Sequence, residues 1–189
     1  MAKKASRRLV VDASVARSAT LSDNPTSTAC REFLQAILEV CHRIVLSPEI
    51  YREWERHALQ SQTVAELRRT RFLANWMVAM SRRKGGKILR VRVERDDALR
   101  TKINRLGLPD ASRQEISDDL HLIEGALVFD RIVISRDDSV CDLLRGVAGS
   151  CPEFAKVVWC NPVDVGEEGL EWLRAGARTV KAWQLGSRR

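Results

Sequence analysis

Four carboxylates stand where local patterns place them just past strand ends. Asp12 ends the apolar run Leu9-Val10-Val11, and Glu53 sits one turn into a helix following Arg43-Ile44-Val45-Leu46-Ser47. Asp119 lies in Ser117-Asp118-Asp119-Leu120-His121, near a helix start, and Asp137 follows the strand-like Arg131-Ile132-Val133-Ile134-Ser135. In an open parallel α/β sheet, residues past the carboxyl ends of the strands share one crevice, so these distant acids can converge. Two carboxylates about 4 Å apart repel by about 4 kcal/mol at an effective dielectric of 20. Four together take up protons or hold a cation, and hard divalent ions prefer carboxylate oxygens. The chemistry expected of such a site is metal-dependent phosphodiester hydrolysis.

Each acid has a competitor close by. Glu49 and Glu55 flank Glu53, and Glu49 in the first turn also complements the helix dipole. Asp118 neighbours Asp119, and Asp137 and Asp138 are both placed to cap a helix. His121, alone on an apolar helix, is expected to be a hydrogen-bonded core residue rather than a ligand. Arg136 stands at the expected crevice mouth.

Alternating elements must position these groups. Strands are expected at 8–12, 43–47, 131–135 and 156–160, with 87–93 a strand or extended arm. A Ser-rich loop after Asp12 leads to a helix carrying Ala29, Phe33, Ile37 and Val40. Ser47-Pro48 opens the next helix as N-cap and N1. Further helices are expected near 62–80 (apolar at Val64, Leu67, Phe72, Trp76 and Met80), 95–106, 114–129, 138–147 and 167–175. Gly85-Gly86 breaks the chain, and Ser112 with Glu115 matches a capping box for the helix at 114–129. The fold class is α/β: a three-layer α/β/α sandwich on a central parallel sheet.

The 189 residues, 44% hydrophobic and 30% charged, suit one domain with a sizeable core. No apolar run reaches the roughly 20 residues of a membrane helix. The basic start runs directly into a strand, which does not read as a signal peptide, so a cytoplasmic protein is expected. Five cysteines without a CxxC pair read as reduced thiols. Of the net +7, residues 68–105 carry 13 Lys or Arg against three acids, leaving the remainder net negative. Arg82, Arg83, Lys84, Lys87, Arg90 and Arg92 in this segment are expected to contact the phosphates of a polyanion.

The motifs together resemble the PIN-domain nucleases, which include the VapC-type toxins. Val10-Val11-Asp12-Ala13-Ser14-Val15 is similar to the family's opening strand, and Ser47-Pro48-Glu49-Ile50-Tyr51-Arg52-Glu53-Trp54 to its second motif. Asp119-Leu120-His121 at the head of an apolar helix resembles the third, and Ile132-Val133-Ile134-Ser135-Arg136-Asp137-Asp138 the fourth. The resemblance implies a PIN-like domain over 1–162 with a basic insertion near 62–107, followed by a helical extension over 163–189. It implies that Asp12, Glu53, Asp119 and Asp137 bind one or two Mg²⁺ or Mn²⁺ ions. Ser14, Ser135, Arg136 and Asp138 would support the ligands or bind phosphate. The activity implied is endoribonucleolytic hydrolysis of RNA by metal-activated water, leaving 5′-phosphate and 3′-hydroxyl ends. An antitoxin and a homodimer are the implied protein partners. The insertion and tail depart from compact toxins, and the alternatives are an RNA-processing nuclease without antitoxin or a non-catalytic scaffold binding RNA or a partner.

Other phosphate chemistries fit less well. A haloacid-dehalogenase-type phosphatase needs Asp-x-Asp where this chain has Asp12-Ala13-Ser14, and a receiver domain needs an acidic pair near its N-terminal strand and a later Lys in place of Asp137. Neither GxGxxG after a strand nor GxxxxGK[ST] occurs.

Overall fold

A computed structural model describes residues 6–56, 64–83 and 86–187, with 64–69 as backbone only. Its centre is a five-stranded, all-parallel sheet in the order β3-β2-β1-β4-β5. The strands are β1 (Arg8–Val11), β2 (Arg43–Leu46), β3 (Ile88–Arg90), β4 (Ile132–Ile134) and β5 (Val158–Cys160). β1, β2, β4 and β5 are buried along almost their whole length, as expected of β-branched strands covered on both faces. In register, Leu9 pairs with Ile44 of β2 and Val10 with Val133 of β4. The strand order turns back at β1, which opens the crevice between the carboxyl ends of β1 and β4.

Helices cover both faces, giving a three-layer α/β/α sandwich. On one side α1 (Ala13–Ser18), α4 (Val64–Arg82) and α8 (Pro162–Arg174) pack against α2 (Pro25–Glu39). On the other, α5 (Asp97–Asn104) and α7 (Asp138–Val147) pack against α6 (Asp110–Val128), which lies on β1 and β4. A Cβ on Gly125 of α6 would stand 3.3 Å from Val10 Cγ2, so glycine permits this close approach. α3 (Pro48–Trp54) sits over the strand ends between α1 and α6. As expected, Ser47 caps it by accepting from the Ile50 N–H at 3.3 Å, with Pro48 at N1.

Three elements differ from expectation. Residues 13–18 form a helix, not a loop: Val15 and Ala16 are buried, and Ser18 satisfies its hydroxyl on the Ser14 carbonyl at 2.7 Å. α6 starts at Asp110 after Pro109, so Ser112 lies inside it, and Glu115 accepts from the Ser139 hydroxyl at 2.6 Å instead of closing a capping box. α8 begins at Pro162 and breaks at Gly166 (φ 47°), so only its second half matches the expected helix. The chain then returns to β5, where Leu185 N–H donates to the Val157 carbonyl at 2.9 Å and Trp183 packs edge-on against Trp172. All five cysteines are free thiols, and no helix among the described residues is long and apolar enough to cross a membrane.

Candidate functional site

Asp12, Glu53, Asp119 and Asp137 line one small pocket of about 170 Å³ at the carboxyl ends of the strands, together with Ala13, Ser14 and Arg17. Each arrives there by a separate route. Asp12 directly follows β1, and its N–H donates to the Ile134 carbonyl of β4 at 2.9 Å. Asp137 directly precedes α7 and caps it, accepting from Val140 N–H at 3.0 Å and the Ser139 hydroxyl at 2.7 Å. Glu53 is carried by α3, which the buried Trp54 indole pins to the Val11 carbonyl at 2.9 Å. Asp119 projects from α6.

Two serines fix the acids. The fully buried Ser135 donates its hydroxyl to Asp12 Oδ2 at 2.7 Å and accepts the Asp137 N–H at 3.0 Å. Ser14 donates to the same Asp12 oxygen and accepts the Arg136 N–H at 3.1 Å. Ser135 thereby ties the Asp12 carboxylate to the Asp137 backbone. The Arg136 guanidinium turns to the Ser18 hydroxyl. Asp138, expected to support the ligands or bind phosphate, does not line the pocket and accepts from the Asn161 amide on both oxygens, at 3.1 Å each.

Asp119 has no such support: its carboxylate accepts no hydrogen bond from any described residue. Burial, followed by the charges of Asp12, Glu53 and Asp137, pushes it up to about 7, with His121 pulling the other way. His121, expected to be a core residue rather than a ligand, is buried but stands at the acidic site, where it makes two contacts. Nδ1 bonds the Asp118 carbonyl at 2.9 Å and Nε2 bonds Glu53 Oε2 at 3.1 Å. Burial opposes its protonation, but the Glu53 hydrogen bond and charge outweigh it and raise its pKa. Glu53, Asp119 and His121 each offer a ligand atom, all within 4.8 Å of one another. This tight trio is not the set of four acids expected: Asp12 and Asp137 line the same pocket without joining it at that spacing.

The donor set fits a hard divalent cation. Carboxylate oxygens dominate it, and burial, followed by the charges of its neighbours, pushes one of them, Asp119, up to about 7, a cost that a cation would offset. Glu53, Asp119 and His121 are the residues spaced to hold such an ion, and Asp12 and Asp137 line the same pocket beside them.

The basic segment is divided by the fold. Arg82, Arg83 and Lys87 precede β3 and so stand at the amino ends of the strands, opposite the pocket. Lys87 donates its ammonium to the Ile37, Leu38 and Val40 carbonyls at the end of α2, and burial lowers its pKa. Arg90 and Arg92 are exposed at the carboxyl end of β3, with Arg90 over the Tyr51 ring at 5.3 Å. Lys84 lies outside the described residues, as do the side chains of Val64 and Leu67.

Arg17 is the pocket residue that sequence patterns did not single out. Its only signal is a place one helical turn after Ser14, which becomes visible once 13–18 is known to be helical. No family model, no curated protein and no solved structure matches this chain.

Proposed function

We propose that the chain is a PIN-like, divalent-metal-dependent endoribonuclease, with Asp12, Glu53, Asp119 and Asp137 holding one or two Mg²⁺ or Mn²⁺ ions. The observation that carries this reading is the convergence of four acids on one pocket, one of them without a hydrogen-bond donor among the described residues. When bound, a divalent cation acidifies water and offsets the charge that builds on a phosphoryl group. Ser135 and Ser14 orient Asp12, Ser135 also fixes the Asp137 backbone, and His121 orients Glu53. Arg17 at the pocket supplies positive charge for a substrate phosphate.

The ends of the products test this reading. In-line attack by water leaves 5′-phosphates and 3′-hydroxyls, whereas attack by the ribose 2′-hydroxyl leaves cyclic phosphates. Mn²⁺-dependent products bearing 5′-phosphates are expected; cyclic phosphates, or a folded protein that binds no Mn²⁺ by calorimetry, would contradict it. Growth arrest on expression, relieved by a small co-encoded protein, would place the enzyme among toxins.

A further inference from the structure

Beside the acidic pocket lies a larger concavity of about 990 Å³, walled by the end of α1, the 19–24 loop, the first turn of α2 and Arg71 of α4. That volume is near the upper end of the range for small-molecule sites, against about 170 Å³ for the acidic pocket. Arg17 lines both, so the two adjoin across one side chain.

The larger wall is polar and cationic. Ser18, Thr20, Ser22 and Asn24 contribute hydroxyls and an amide, Arg17 and Arg71 contribute charge, and no carboxylate lines it among the described residues. The loop is held in shape from behind. Arg31 donates to the Thr20 and Ser22 carbonyls, Thr20 Oγ1 lies 3.0 Å from Ser27 Oγ, and Asn24 donates to the Ser22 hydroxyl at 2.8 Å. A preformed polar concavity that among the described residues carries two guanidiniums and no acid suits anions, and guanidinium geometry matches phosphate oxygens. Among the described residues Leu21 is its one apolar lining residue and no aromatic ring lines it, so base stacking contributes little there.

We propose that this concavity is the phosphate subsite for nucleotides flanking the scissile bond of a single-stranded RNA. Arg17 holds the phosphate between the two pockets, and Arg71 holds the next one out. The proposal rests on the nuclease reading for its substrate. It routes the strand over α1 and α4 and away from Arg82, Arg83 and Lys87, which stand at the other end of the sheet. Recognition through phosphates makes binding tolerant of base identity and steep in salt.

Arg71→Gln tests the subsite, because Arg71 is exposed and lines no part of the acidic pocket. The full-length protein in EDTA is titrated with a labelled single-stranded oligoribonucleotide over a range of NaCl, and cleavage with Mn²⁺ is followed in parallel. Arg71→Gln is expected to weaken binding about threefold or more at low salt and to flatten the log Kd–log salt slope by about 0.7, the loss of one phosphate contact. KM rises while kcat holds, and the thermal midpoint stays unchanged. Arg83→Gln is expected to do none of this. Unchanged affinity and slope in Arg71→Gln, equal losses in Arg83→Gln, or no RNA binding by the wild type would each overturn the subsite. Cleavage by the wild type with a silent Arg71→Gln leaves the nuclease standing without the subsite. Binding that depends on Arg71 without any cleavage leaves the subsite standing and removes the nuclease.

Discussion

Trp54 donates its indole N–H to the Val11 carbonyl at 2.9 Å, across 43 residues of sequence and with the tryptophan fully buried. Glu53 precedes the tryptophan and Asp12 follows the valine, so one hydrogen bond sets the spacing of two acids. Trp54→Phe keeps a ring but leaves the buried carbonyl without its donor and a gap beside Trp76. A stability loss of about 1–3 kcal/mol in urea unfolding is expected. Mn²⁺ affinity should fall with it when measured on the folded variant.

Ser135 ties Asp12 to the Asp137 backbone through one hydroxyl. Ser135→Ala frees both at once. Groups that orient metal ligands are typically worth about 10–100-fold in affinity, and a loss in that range is expected by calorimetry. An affinity equal to wild type would mean that the carboxylates are held in place without this hydroxyl.

Asp119 gives the metal-free protein a distinctive pH dependence. Its carboxyl titrates near 7 in the fold and at about 3.9 in an unfolded chain. The folded state therefore holds the extra proton between those values, and the stability this group contributes is lost as pH rises from about 4 to about 7. In EDTA at pH 8, Asp119→Asn is expected to be more stable than wild type by about 1–2 kcal/mol, a gap that closes near pH 4. Saturating Mn²⁺ reverses the order by stabilising the wild type alone. Chemical denaturation at both pH values, with and without metal, checks the sign.

Glu124 lies five residues along α6 from Asp119 and has a structural part. It is buried, takes two 2.8 Å bonds from the Arg100 guanidinium and accepts the Asp96 N–H at 2.9 Å, fastening α5 and the segment after β3 to α6. Glu124→Gln leaves a half-buried arginine without its counter-charge and is expected to cost about 3 kcal/mol. Metal affinity of the folded variant should stay within about twofold of wild type, since Glu124 lines no part of the pocket.

Asp12, Glu53 and Asp137 were legible in the sequence because each follows, or sits one turn beyond, a short β-branched run, and parallel strands bring such positions to one edge; Asp119, the tenth residue of α6, follows no strand and was legible only through the Asp-x-His pattern. The serines were legible for the same reason, lying within two residues of Asp12 and Asp137. Other features leave no periodic trace. The Ser-rich stretch after Asp12 resembles a loop by composition, yet burial of Val15 and Ala16 makes it helical, and only then does Arg17 face the pocket. Ser112 and Glu115 have the spacing of a capping box, but Pro109 and Asp110 start the helix earlier. The Arg100–Glu124 pair spans two helices, and Lys87 belongs to a charged run by composition while serving the carbonyls at the end of α2. Contacts between elements decide these, and local pattern carries no record of them.

Cleavage of a labelled single-stranded RNA by the purified protein, in Mn²⁺, in Mg²⁺ and in EDTA, beside Asp12→Asn, tests the central claim most directly. Cleavage that requires the metal and falls by at least about a hundredfold in Asp12→Asn is the predicted result. Cleavage that persists in EDTA or in the folded Asp12→Asn protein would contradict it, as would no cleavage by a folded wild type in either metal.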